Sequence, residues 1–263
     1  MDTPLFTRFA PLLRDLSDDA LEAEIRQPQR LLLDSRLQGG KRIDVAYAPF
    51  EHVTPGARIV LVGLTPGRQQ MGNALREARR ALRQGLSAPD ALAAAKVFAS
   101  FSGPMRSNLV ALLDGIGVHS LLGLASTTSL WGADAGLVHF TSALRNPVFV
   151  DGANYSGAPS MLTTPLLREQ LQAGLATELA TLAGALVVPL GPKVAEAVEA
   201  LARQGVLDPA RVLAGLPHPS GANAERIAFF LGRKPRAALS TQVDADKILQ
   251  ARTILAAKVA ALG

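Results

Sequence analysis

Residues 58–67 read Arg-Ile-Val-Leu-Val-Gly-Leu-Thr-Pro-Gly. The apolar run does not alternate with polar residues, and it stops at a Gly-x-x-Pro-Gly turn. A strand buried on both faces has this pattern, which is how strands of a parallel sheet read. Three further runs are of the same kind: 138–144, 185–190 and 211–216. Segments with helical spacing separate them: 72–85, 91–101, 108–116, 165–183 and 193–203, then 223–231 and 245–262. Alternating strands and helices predict an α/β protein, a three-layer αβα sandwich around a four-stranded parallel sheet. Residues 4–26 add two helices, the second opened by Ser17-Asp18-Asp19, and 42–47 alternate as a short edge strand. One domain over 1–263 is expected: N-terminal helices and edge strand in 1–57, the core in 58–231, and a basic loop with the terminal helix in 232–263. Residues 145–160 read as a long loop.

Composition narrows the function classes. The 263 residues are 48% hydrophobic, enough for an ample core. There is no cysteine, so disulfides, thiolate catalysis and cysteine-ligated iron–sulfur clusters are excluded. The four histidines, His52, His119, His139 and His218, show no helical metal spacing, so no cofactor is expected. Neither a signal peptide nor a membrane-length apolar run is present, which predicts a cytoplasmic protein, taken as a monomer. The formal net charge of +5 favours a polyanionic partner. Arg76, Arg79, Arg80 and Arg83, with Arg68 upstream, form either a face for DNA phosphates or an ordinary solvated helix face.

The fourth apolar run ends in Pro217-His218-Pro219-Ser220-Gly221. Two prolines fix φ around one histidine and stiffen the corner that carries it. Loops at the carboxyl ends of parallel strands are where open α/β sheets bind ligands. This corner, taken with Gly63-Leu64-Thr65-Pro66-Gly67, resembles the two signature motifs of the uracil-DNA glycosylase superfamily. The late motif matches at His218, Pro219 and Ser220. The early one matches at Gly63, Pro66 and Gly67 and departs at Thr65, where the family has Asp or Asn. The similarity covers most of 58–231 and implies a uracil-DNA-glycosylase-like fold and excision of a deaminated or modified base from DNA by base flipping.

The resemblance implies roles for individual residues. His218 would stabilise the departing base, and Thr65 stands where the family's acid positions water. Phe101 falls where the family stacks an aromatic on the extruded base, although an ordinary core phenylalanine reads the same way. Ser142 falls where the family has a base-reading asparagine, with Gly63 and Leu64 beside the base. Pro66, Gly67, Arg68, Ser220, Gly221, Asn223 and Arg226 would meet DNA. The chemistry is consistent with these types: glycosidic cleavage builds positive charge on the sugar and negative charge on the base, and a fixed donor lowers that barrier. Thr65 supplies no charge, so Asp44, Glu51 and Asp151 are candidate replacement acids. Two rival functions follow from the departures: a nucleic-acid-binding protein with little or no glycosylase activity, and a hydrolase of free nucleosides or nucleotides.

Overall fold

The computed structural model describes residues 4–99 and 104–263. In chain order come α1 (Pro4–Asp15), α2 (Asp18–Arg26), β1 (Leu32–Gln38), β2 (Lys41–Ala46), β3 (Ile59–Gly63), α3 (Arg68–Arg83) and α4 (Ala88–Ala99). Then follow α5 (Pro104–Gly115), α6 (Val118–Leu122), β4 (Val138–Ser142), β5 (Val148–Val150) and β6 (Ala153–Asn154). The remainder is α7 (Pro165–Leu171), α8 (Thr177–Thr181), β7 (Leu186–Pro189), α9 (Pro192–Arg203), α10 (Ala224–Phe230) and α11 (Ala245–Ala261). The protein is therefore α/β, built on two small sheets. Among the described residues no helix is long and apolar enough to cross a membrane.

The chain divides into two units, each made of several segments. The first comprises Met1–Val53, Leu64–Ser100 and Phe140–Glu178. Its sheet has the order β1-β2-β5-β6, with every pairing antiparallel. β2 thus lies between two strands and is not an edge, as its alternation had suggested. The expected loop at 145–160 contains the β5–β6 hairpin instead. Asp151 and Gly152 both have positive φ, 50° and 79°, the requirement of a tight I′-type turn. Phe6, Leu13, Leu21, Tyr47, Met71, Leu75 and Leu92 are buried together, and the Phe9 and Tyr47 rings stack at 4.2 Å. The Ser17 side chain caps α2 by accepting from the Ala20 N–H. The carboxylate of Glu24 then accepts from the N–H groups of Gln29, Arg30 and Leu31 at 2.9–3.1 Å and closes the chain into β1. The helix expected over 165–183 is interrupted by a π turn at Gln172–Ala176.

The second unit comprises Thr54–Gly63, Phe101–His139 and Leu179–Gly263. Its sheet has the order β4-β3-β7, entered by the first residues of β4. β3 and β7 run parallel, Ile59 opposite Leu186 through Val62 opposite Pro189. Both strands are buried on both faces, as their unbroken apolar runs require. The fourth expected strand, 211–216, is reduced to a single parallel bridge between Val187 and Val212. Gly215 at φ 120° turns the backbone out of the strand conformation, so the ladder cannot continue to the corner that holds His218. α10 packs on α11 in this unit.

Candidate functional site

The second unit carries the histidine corner. His218 is half-buried, and its Nδ1 accepts the Ser220 N–H at 3.2 Å. Burial pushes the imidazole pKa below the ordinary histidine value, so at neutral pH the ring is uncharged. With Nδ1 an acceptor, the single ring proton resides on Nε2. The corner is held from two further sides. Asn108 in α5 donates to the Pro219 carbonyl at 2.9 Å, and Asn223 donates to the Ser220 hydroxyl at 3.2 Å. Gly191, between β7 and α9, sits against the ring: a Cβ there would lie 3.3 Å from His218 Cδ2. Asn108 and Gly191 were not singled out by sequence reasoning; the only signal was Gly191-Pro192 at a strand-to-helix turn. Gly63 closes β3, Gly221 is exposed, and Arg226 donates to the Gln242 carbonyl at 2.9 Å.

The first unit carries the early turn. The Leu64 carbonyl accepts from the Leu144 N–H, and the Thr65 hydroxyl donates to the Asn146 carbonyl at 3.1 Å. Pro66 is buried, and Gly67 leads into α3 with its N–H on the Gln70 side chain at 3.1 Å. A Cβ on Gly67 would lie 3.4 Å from the Asn154 side chain, which itself accepts the Arg68 N–H at 3.0 Å. Ser142 ends β4, half-buried. Phe101 lies outside the described residues.

On sequence alone the α3 arginines read as either a phosphate face or a solvated helix face; Arg76, Arg80 and Arg83 are exposed, and the guanidinium groups also have partners within the protein. Arg68 lies over the Phe149 ring at 4.2 Å and donates to the carbonyls of Ile25, Arg26 and Gly152. Arg76 pairs with Glu22, Arg79 with Asp18 and the Leu16 carbonyl, and Arg80 with Glu77. Arg83 donates to the carbonyls of Arg14 and Leu16 at 3.0 and 2.8 Å. α3 therefore uses its guanidinium groups to hold α1 and α2 and its own surface carboxylate. In the second unit Lys234 pairs with Glu225 and Arg236 with Asp246.

A buried polar cluster in the first unit was largely invisible in the sequence. Glu51, Lys96 and Glu178 are 7%, 3% and 2% exposed. Glu51 Oε2 lies 3.4 Å from the Tyr47 hydroxyl. Lys96 donates to the His52 carbonyl, and Glu178 accepts from Thr141 and, at 3.3 Å, from Arg145. Burial pushes the Lys96 pKa down to about 8 against the opposing field of Glu178. Burial also raises the Glu51 carboxyl pKa, although its own backbone N–H, Arg145, Tyr47 and Lys96 all pull the other way. Three buried atoms here have no hydrogen-bond partner: Glu51 Oε1, Arg145 Nε and Asn146 Oδ1. The other two candidate acids differ. Asp44 accepts from Ser35 and Arg42, Asp151 accepts the Arg42 N–H, and both line an open cleft of about 330 Å³ with Arg68.

The chain is 35% identical over 202 residues to "Uncharacterized protein YoxB" of Bacillus subtilis (strain 168), a span of 76% of this chain and 79% of that protein. No family model matches the chain. No solved structure matches it.

Proposed function

The chain belongs to the family of Bacillus subtilis YoxB, and we propose that it is a DNA N-glycosylase of the uracil-DNA glycosylase superfamily, acting on a deaminated or modified base. The observation that carries this reading is the hydrogen bond from the Ser220 N–H to His218 Nδ1, which leaves Nε2 to carry the ring proton. A neutral ring whose Nδ1 is occupied presents Nε2–H as a fixed donor. When the C1′–N bond breaks, the electron pair leaves with the base, and a carbonyl oxygen of the base gains negative charge. A donor aimed at that oxygen, made rigid by Pro217, Pro219, Asn108 and Gly191, stabilises the charge without reorganising. Because the ring is uncharged, it donates a hydrogen bond and keeps its proton. Water then completes the hydrolysis at C1′.

On this reading DNA is the partner. The sheet β4-β3-β7 with the bridge at Val212 is a reduced form of the superfamily's four-stranded parallel core. The enzyme acts as a cytoplasmic monomer without a cofactor. Arg236, exposed and paired with the exposed Asp246, would meet a phosphate by exchanging that partner, since surface ion pairs are weakly held in water. A second reading, nucleic-acid binding with little or no excision, has its own observation in its favour. The Thr65 hydroxyl proton is already committed to the Asn146 carbonyl, and the early motif has no carboxylate.

The test is a set of oligonucleotides, each with one uracil, hypoxanthine, xanthine, alkylated or hydroxymethylated base, incubated with the protein and cleaved by alkali. Strand cleavage at a lesion is expected. Binding without cleavage on every substrate supports the second reading. Activity on free nucleosides alone would replace both with a nucleoside hydrolase.

A further inference from the structure

We propose that the open cleft on the β1-β2-β5-β6 sheet binds a phosphorylated pentose, with the sugar hydroxyls on Asp44 and Asp151 and the phosphate on Arg26 and Arg42. Every residue lining the cleft belongs to the first unit, so this site is independent of the glycosylase reading. Strand register builds the floor. Asp44 stands opposite Phe149, and Arg42, two residues away, is on the same face of β2. The β5–β6 turn adds Asp151, whose side chain accepts the Arg42 N–H at 2.9 Å. Arg68, the first residue of α3, forms a wall. It lies over the Phe149 ring at 4.2 Å while its Nη atoms donate to the carbonyls of Ile25, Arg26 and Gly152. The last residue of α2, Arg26, completes the lining. A space of about 330 Å³ is at the lower end of the range for small-molecule sites.

The groups left open decide the ligand. Asp44 and Asp151 each engage one oxygen, Oδ1. Asp44 accepts there from the Ser35 hydroxyl at 2.6 Å and from Arg42 Nε at 2.9 Å, and Asp151 from the Arg42 N–H. Among the described residues, neither Oδ2 has a partner. The Nη groups of Arg42 and the whole exposed guanidinium of Arg26 are open as well. The cleft thus offers two carboxylate acceptors and two cationic donors. Three arginines outnumber two aspartates in the lining, which favours an anion. Asp44 already pairs with Arg42, and Asp151 already holds a backbone N–H, so a neutral hydroxyl suits each Oδ2 better than an ammonium, which the arginines repel. Hydroxyls bond strongly to carboxylate oxygens, and guanidinium groups fork onto phosphate. The Asp44 side chain is 15% exposed and that of Arg42 55%, so the acceptor lies deeper than the cation. A pentose phosphate therefore enters sugar first and leaves its phosphate at the rim.

The experiment is titration calorimetry of the full chain with ribose 5-phosphate, and separately with ribose, inorganic phosphate, glycine and a nucleoside 5′-monophosphate. Saturable binding of ribose 5-phosphate is expected, tighter than that of ribose or phosphate alone. The nucleotide carries the same phosphorylated pentose with a base attached, and the tighter of the two identifies the source of the ligand. Arg26→Ala removes a guanidinium that no described residue holds. Asp44→Asn keeps an oxygen for Ser35 and Arg42 and turns the open acceptor into a donor. Each should melt nearly as wild type does and weaken binding on the order of tenfold or more, the loss of one charge-assisted hydrogen bond. Asp151→Asn takes the place of Asp44→Asn if that variant does not fold. No binding at millimolar ligand, phosphate alone binding as tightly as ribose 5-phosphate, an affinity unchanged in the aspartate variant, or a preference for glycine overturns the assignment. Each of these results leaves excision at His218 untouched, and a protein that excises no base leaves the cleft untouched.

Discussion

Replacing Gly191 with alanine should disturb His218 at a distance from the ring's own hydrogen bonds. Gly191 has φ 96° and ψ 161°, a region essentially reserved for glycine. Forcing an L residue there costs roughly 1–3 kcal/mol. The added Cβ would also stand 3.3 Å from His218 Cδ2 and 4.0 Å from its Cβ and Cγ, so the imidazole must give way by a few tenths of an ångström. Gly205, at φ 79° just after α9, is the control, because a Cβ there meets nothing within 4 Å. Gly205→Ala should cost only the left-handed backbone strain, about 1–2 kcal/mol. At about 2–4 °C per kcal/mol for chains near this size, both variants lower Tm by several degrees. Only Gly191→Ala should shift the His218 ring nitrogen resonances. If a misplacement of 1 Å costs about 10²-fold, a few tenths of an ångström costs roughly fourfold to tenfold in rate. A Gly191→Ala protein with unmoved His218 resonances and the stability of Gly205→Ala would refute the packing of ring against glycine.

Other consequences can be measured independently. Glu24→Ala strands three backbone donors and should lose on the order of 1–3 kcal/mol or more in urea unfolding; a loss well under 1 kcal/mol would show that those donors find water. Arg79→Ala removes the guanidinium that ties α3 to the Leu16 carbonyl and Asp18, so it should destabilise the fold in the absence of any nucleic acid, a point tested by melting the protein alone. The Lys96 pKa falls from the ordinary 10.5 to about 8 on folding. Between those values the unfolded chain holds more protons, so this group makes stability rise with pH across that window and costs stability below it. The difference in urea midpoint between wild type and Lys96→Met, followed from pH 8 upward, should show that rise in wild type alone.

The sequence was most legible where one face or both faces of an element had to be apolar over a full length. β3, β7 and α9 were found from unbroken runs and helical spacing, and α11 within one residue of its end. The histidine corner was legible because two prolines announce a rigid backbone. The fourth strand was over-read: Val212-Leu213 has strand composition, but Gly215 ends the extended conformation after one bridge. The β5–β6 hairpin was under-read, because strands of three and two residues are too short for periodicity to register, even with Asp151-Gly152 between them. Charge was the least legible property. Arg76 and Glu22, or Arg79 and Asp18, meet only through tertiary packing, and a run of arginines looks the same whether its partners are phosphates or the protein's own carboxylates. Lys96 sits in an alanine-rich helix, and no local pattern reports that its ammonium is buried beside two distant glutamates. Glu51 was one of three candidate acids, and only burial separates it from the others.

The most direct measurement is mass spectrometry of a single-lesion oligonucleotide after one turnover with wild type and with His218→Ala. Wild type is expected to yield the free base and a strand in which a hydroxyl has replaced it. His218→Ala should melt nearly as wild type does and form both products on the order of 10²–10³-fold more slowly. Release of base at an undiminished rate by the folded His218→Ala protein would contradict the account at its centre, as would intact strands after incubation of every lesion with the wild type.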